Sequence, residues 1–241
     1  MNARFRQRIT ALLAAHYGIA PDDRTQPGTT LRPMDPDDWD GWLELIPVGV
    51  RVGVEVPPLL RERVEAVVAA HPTDHVLTGA DFVAAWGSEG ARVGQMKVYM
   101  LDAAAFRPFA PDPRYVARAL TEADRAAFDA FLARCPEKDR AEADISLDQD
   151  WPFGVFDGAR MVAGASTYRW LGLVDVGVLT DPAYRGQGLG KAVVSAVAQH
   201  VAAQGHVVCY RHAVYNTGSQ GIAEGLRFSL YATTEGVHPV K

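Results

Sequence analysis

Residues 180–191 constrain the fold more than any other stretch of the chain. They read Thr180-Asp181-Pro182-Ala183-Tyr184-Arg185-Gly186-Gln187-Gly188-Leu189-Gly190-Lys191. An apolar strand-like run, 173–180, leads into them. Val193, Val194, Val197, Ala198 and Val201 follow at helical spacing, so a helix begins at or just after the glycines. Three glycines in a strand-to-helix turn let the backbone fold tightly with its N–H groups converging on one spot. The helix N-terminus adds unbonded N–H groups and the positive end of its dipole, and Arg185 and Lys191 add full charges. The pattern is a cradle for a pyrophosphate. Three to five hydrogen bonds to a charged group, at about 1.5–3 kcal/mol each, are with the costs of association subtracted of the order that micromolar binding needs, about −8 kcal/mol.

The spacing excludes two common phosphate loops. A Walker A loop requires Gly where Arg185 stands and Ser or Thr where Ala192 stands. The dinucleotide fingerprint G-x-G-x-x-G fails because the glycines run G-x-G-x-G. The loop instead resembles the R/Q-x-x-G-x-G/A motif of the GNAT acetyltransferases, through Arg185, Gly188 and Gly190. About 30 residues on, a second match to that family (Asn216, Ser219, Ile222, Leu226, Phe228) resembles the strand end and helix that lie along its cofactor. With Thr121-Glu122-Ala123-Asp124 opening a first helix, the resemblance covers about residues 115–235.

The resemblance implies an α/β fold of the α+β type: a mixed, mostly antiparallel twisted sheet flanked by helices. It implies acetyl-CoA as co-substrate and direct transfer to an amine in a ternary complex. The strand before the loop is expected to carry a bulge and splay from its neighbour. Pantetheine would then bond to the backbone of Val178, Leu179 and Thr180, and the N–H groups of Arg185, Gly186, Gln187, Gly188, Leu189, Gly190 and Lys191 would hold the pyrophosphate. Asn216 and Ser219 complete the expected cofactor contacts.

The chain departs from the family where chemistry is concerned. The usual acid, a Tyr, is replaced by Ala223, and Arg227 stands where Gly normally precedes the final Phe. Tyr215 and Tyr231 lie near but match no motif. Asp175 is the one ionisable side chain on the strand before the loop and so the candidate base, although alternation points it to the opposite face from Val174 and Val176. A partnered structural carboxylate, a water relay and a base from elsewhere are the alternatives. The missing Tyr also motivates a different class of function, an acyl-CoA-binding regulatory protein without turnover.

Proline clustering at Pro108, Pro111 and Pro113 suggests a linker. It divides the chain into a smaller, divergent N-terminal α/β part, 1–110, and a coenzyme-binding part, 111–241. In the first, helices are expected around residues 60–68 and 82–86 and a strand over 93–101. In the second, expected strands are 115–120, a meander of 152–156, 161–170 and 173–180, then 207–214 and 228–234. Helices are expected from Thr121 to Pro136, after the glycine loop, and near 219–224. Residues 137–150 hold six acidic and two basic side chains. They read as a solvated loop or as a negative mouth favouring a cationic amine. Trp151, Tyr168 and Trp170 read as core or edge aromatics.

Formal net charge is −5, without a Lys/Arg run of the kind that tracks nucleic acid, and no apolar run approaches the length of a membrane span. Cys135 and Cys209 show neither a disulfide framework nor metal-ligand spacing. Both are expected as buried small side chains, which fits a cytoplasmic protein with no metal centre. Arg4, Arg6 and Arg8, in an acid-free start, superficially resemble a transit peptide. The stripe Phe5, Ile9, Leu12, Leu13 is better read as the first helix of the domain. Family members often dimerise; no residue here specifies it.

Overall fold

The computed structural model describes residues 1–36 and 41–240. It is a mixed α/β structure with a mostly antiparallel sheet. The chain divides into two compact units. The first comprises Met1–Val98, Ala213–Tyr215 and Tyr231–Lys241, and the second Tyr99–His212 and Asn216–Leu230.

In the first unit, helix α1 (Ala3–Tyr17) starts at Asn2, whose side chain accepts from the Phe5 N–H, and ends at Gly18 in the left-handed region. Its buried face is Ile9, Leu13, Ala14 and Tyr17, so the arginine-rich start is an integral helix, with Leu12 at its exposed margin. Three strands follow that periodicity had not singled out: β1 (Gly28–Pro33), β2 (Leu43–Val48) and β3 (Arg51–Val56). β2 and β3 form a tight hairpin, and β1 runs parallel to β3. Helices α2 (Arg61–Ala69) and α3 (Gly79–Trp86), strand β4 (Ala91–Met100) and the body of the last strand, β10 (Ser229–Pro239), complete the unit. Strand order here is β1-β3-β2-β10-β4. Leu43, Leu45, Val54, Val64, Phe82 and Val237 are central to its core.

In the second unit, β5 (Tyr115–Ala119), β6 (Asp150–Asp157), β7 (Arg160–Trp170) and β8 (Leu173–Thr180) form the expected antiparallel run, and β9 (Val208–Ala213) joins β8 in parallel. Helix α4 (Arg125–Leu132) is entered through a capping box between Thr121 and Asp124. Residues 137–143, expected as loop, form a short helix, α5 (Glu137–Ala143). Helix α6 (Leu189–Ala203) follows the glycine loop, and α7 (Thr217–Gly225) follows β9. The predicted helical stripe Val193, Val194, Val197, Ala198 and Val201 is completely buried against Val155, Val174 and Val176. At about 1.5–3 kcal/mol per buried side chain, this stripe anchors α6 and hence the loop at its start.

The proline-rich segment is irregular, as expected, but it is not a free linker. Phe106 packs edge-on against Phe228 with ring centroids 6.0 Å apart, and the Phe109 N–H donates to Ser195 Oγ at 2.9 Å. Both cysteines are free and buried, and burial raises both thiol pKa values. Among the described residues no helix is long and apolar enough to cross a membrane.

Candidate functional site

The second unit brings the glycine loop, the end of β8 and the start of α7 into one site. β8 pairs with β7 along its whole length, from Leu173 opposite Trp170 to Thr180 opposite Ala163. On its other side, among the described residues, it pairs with β9 only at Val174 and Asp175, opposite Val208 and Cys209. The two parallel strands therefore separate, and residues 176–180 present an open edge. The separation comes without the expected bulge: β8 stays in regular register with β7, and the shifts occur between β6 and β7. Alternation then decides which groups face the opening. The Val174 N–H donates to Val207 on the β9 side, so Val178 and Thr180 also turn their backbone groups that way. Leu179 turns its own toward β7, and its side chain is buried beside Phe131 and Met161.

A short 3-10 turn carries the chain from β8 to α6. Asp181 caps it by accepting from the Ala183 N–H, and is itself buried between Arg134 Nε at 2.8 Å and Arg160 Nη2 at 3.1 Å. Burial pushes its carboxyl pKa up, but the bonds from Arg134, Ala183 and Arg160 outweigh this and hold it below the ordinary carboxylate range. Gly186 and Gly188 both have φ of 77°, a conformation that L side chains avoid. Gly190 has an ordinary backbone but no room, since a Cβ there would lie 3.0 Å from Thr180 Oγ1 and 3.2 Å from Ile222. Each glycine thus has a local reason.

Among the described residues, the first α6 N–H with a carbonyl partner is that of Ala192, bonded to Gly188. The N–H groups of Gly186, Gln187, Gly188, Leu189, Gly190 and Lys191 precede it with no backbone acceptor among the described residues. These six consecutive donors at a helix N-terminus form a nest suited to a polyanion. Lys191 stands 3.9 Å over the Phe109 ring, and Arg185 pairs with Asp139 of α5 at 2.5 Å. The side chain of Gln187 turns away and accepts from the Tyr115 hydroxyl at 2.6 Å and from Arg114 Nη2 at 2.9 Å. A diphosphate fits this donor set: six N–H groups flanked by the cations Arg185 and Lys191, with Asp139, on Arg185, the carboxylate beside it.

Asn216 and Ser219 meet at the start of α7, where Asn216 Oδ1 accepts from the Ser219 N–H at 3.0 Å. Ala223 is completely buried, so its position offers no proton donor. Asp175 is buried and both its oxygens are partnered. It is 2% exposed; Oδ2 accepts from Arg211 Nε at 2.6 Å and from the Tyr168 hydroxyl at 2.8 Å, and Oδ1 from the Val176 N–H at 2.9 Å. Arg211 also stacks over Trp170 at 4.1 Å, so Tyr168 and Trp170 serve this cluster. The run 137–150 is largely paired: Asp139 with Arg185, Asp148 with Arg125, Glu142 with Lys138.

One group the sequence did not single out is Tyr210, on β9 one residue past the end of its ladder with β8. Its hydroxyl is buried beside Ser219 without a well-formed hydrogen bond, and burial raises its pKa.

Comparison with known proteins agrees with this geometry. A family model for the acetyltransferase (GNAT) domain matches residues 95–229, more than half of the chain. A GCN5-related N-acetyltransferase from Kribbella flavida superposes with a TM-score of 0.56 at 15% identity, over 97% of this chain and 95% of that one. A GNAT-family acetyltransferase from Colwellia psychrerythraea gives 0.51 at 16% identity, over 80% and 77%. A functionally unknown conserved protein from Staphylococcus epidermidis gives 0.53 at 8% identity, over 86% and 94%. At these identities the likeness is one of fold. A search of curated proteins finds no match. Open strand edge, glycine nest and family match agree, and the chain belongs to the GNAT acetyltransferase family.

Proposed function

We propose that this protein binds acetyl-CoA at the β8–α6 junction and transfers its acetyl group to an amine. The observation that carries the proposal is the row of six N–H groups from Gly186 to Lys191 with no backbone acceptor among the described residues, flanked by Arg185 and Lys191. The pyrophosphate would sit in this nest. The pantetheine amides would take the backbone groups of Val178 and Thr180 on the open edge, which have no β9 ladder partner among the described residues. Leu179 would shape the strand from beneath, and Asn216 and Ser219 would hold the start of α7 beside the cofactor.

In the reaction the amine nitrogen attacks the thioester carbonyl, the C–N bond forms as the C–S bond breaks, the nitrogen gives up a proton to solvent, and the leaving thiolate takes one. Asp175 is better suited to hold Arg211 and Tyr168 in place than to receive the amine proton, because both its oxygens already accept hydrogen bonds. Tyr210 is our candidate donor to the thiolate, since it follows the last β9 residue paired with β8 and its buried hydroxyl lies beside Ser219 at the start of α7. A cationic small molecule remains the proposed acceptor, drawn by the carboxylates of α5 and the residues after it.

Calorimetric titration with acetyl-CoA, beside an Arg185→Ala, Gly188→Asp double variant, tests the cofactor half. Micromolar binding abolished in the variant is expected; no binding by the parent protein refutes it. Free-thiol release across an amine panel tests turnover. A second reading, an acyl-CoA-binding protein without catalysis, is favoured by the buried methyl of Ala223 at the family's Tyr position. Binding without thiol release would select it.

A further inference from the structure

Far from the glycine loop in sequence, the first unit brings His71, His75 and Asp81 together, with their ligand atoms all within 4.8 Å of one another. His71 lies just past the end of α2, His75 in the α2–α3 connection and Asp81 in the first turn of α3. His71 Nε2 is 3.3 Å from Asp81 Oδ1, and His75 Nε2 is 3.0 Å from Asp81 Oδ2. Bonds of about 2.0–2.1 Å around a tetrahedral ion place neighbouring donors about 3.3 Å apart. The observed spacings are close to that edge.

The supporting bonds fix which atoms face inward. His71 Nδ1 lies 2.9 Å from the Val67 carbonyl, which only accepts, so Nδ1 carries the proton and Nε2 is turned toward Asp81. Orientation of a histidine by a backbone carbonyl on its other nitrogen is the usual outer shell of a metal ligand. Asp81 Oδ2 is occupied by the Thr78 N–H at 2.7 Å and the Thr78 hydroxyl at 2.9 Å, the cap of α3, which leaves Oδ1 for an ion. Thr29 donates to the His75 carbonyl and accepts from the Leu77 N–H, both at 3.0 Å, and so pins the loop on both sides.

The two imidazoles are stacked, with centroids 4.2 Å apart and planes 11° from parallel, and both present Nε2 to the same carboxylate. One divalent ion between them would engage both rings and Asp81.

We propose that His71, His75 and Asp81 form a binding site for a divalent transition metal, zinc above all, with solvent completing a four-coordinate shell. Two imidazoles and one carboxylate suit zinc over magnesium or calcium, which prefer all-oxygen sets. All three side chains are partly exposed, at 28%, 34% and 17%, so the ion can enter from solution. The site ties the end of α2 to the start of α3, and its existence does not depend on the acetyltransferase reading.

The test uses the full chain without a polyhistidine tag, stripped with chelator and titrated with Co²⁺ and then Zn²⁺. One equivalent of Co²⁺ should give the intense visible bands of tetrahedral coordination, displaced by Zn²⁺. His71→Gln and His75→Ala should each lose about tenfold or more in affinity while keeping the metal-free far-UV spectrum, which separates loss of a ligand from loss of fold. Asp81→Asn is less informative because it also uncaps α3. Metal uptake unchanged in both histidine variants, or a six-coordinate Co²⁺ spectrum, would overturn the proposal, as would no uptake by the parent chain.

Discussion

In the proposed complex Arg185 is, with Lys191, one of two cations that the loop would offer to a pyrophosphate, and in this structure it is engaged by Asp139 at 2.5 Å. Both partners are partly exposed, Arg185 by 51% and Asp139 by 29%. An ion pair of that kind is worth about 0.2–1 kcal/mol, and cofactor binding must spend this to share or release the arginine. Asp139 also leaves a negative charge beside the diphosphate. At a separation of about 6 Å in a water-like dielectric this repulsion is about 0.7 kcal/mol, reduced by salt with a screening length of about 8 Å. Replacing Asp139 by Asn removes both terms. The expected gain is about 0.5–1.5 kcal/mol, a two- to tenfold tightening of coenzyme A binding at about 1.4 kcal/mol per decade. Calorimetric titration of coenzyme A at low and physiological ionic strength measures it, and the gain should shrink as salt rises. In an Arg185→Ala background the same substitution should retain only the small repulsion term. Unchanged or weakened binding on Asp139→Asn would refute the reasoning, because it would mean that Asp139 positions Arg185 instead of competing for it.

Other perturbations probe the rest of the site. Gly188→Ala forces a side chain into φ of 77° and to 3.1 Å from the Phe109 ring; the left-handed penalty alone is about 1–2 kcal/mol, so urea unfolding should show at least that loss, with weaker coenzyme binding. Arg211→Met strands the buried Asp175 carboxylate and should cost about 3–5 kcal/mol, with Asp175→Asn added in the same chain recovering part of it. Asp181 has a folded-state pKa below its unfolded value, so its stabilisation is full above the unfolded carboxyl value of about 3.9 and is lost as pH falls through the lower folded value. Asp181→Asn should therefore flatten the acid limb of a Tm-versus-pH curve, and an unchanged limb would refute this. Tyr210→Phe should lower kcat while leaving acetyl-CoA affinity within about twofold; an unchanged kcat removes Tyr210 as the proton donor.

The strand–glycine loop–helix signal was legible because it is local. Helical periodicity in 193–201, turn glycines and flanking cations lie within about twenty residues, and backbone sterics act on each without help from distant chain. The same holds for the meander β6–β8 and for the capping box at Thr121. Features that depend on side chains meeting across the sequence were not legible. Periodicity placed Asp175 off the Val174 face, but only packing showed that Arg211, thirty-six positions away, neutralises it. Proline density correctly excluded regular structure at 106–113, yet the apolar gain from docking Phe106 and Phe109 turned that stretch into a wall of the glycine loop. The short strands β1–β3 carry mixed polar and apolar residues; β2 and β3 pair through a local hairpin, but the parallel pairing of β1 with β3 rests on hydrogen bonds between residues more than twenty positions apart. The cluster of His71, His75 and Asp81 likewise exists only because α2 and α3 fold back on one another. Sequence alone determined the family and the strand–glycine turn–helix unit, since both are written in contiguous backbone geometry. Tertiary structure decided which charges are paired, buried or free, because electrostatic roles depend on distance through space and not along the chain.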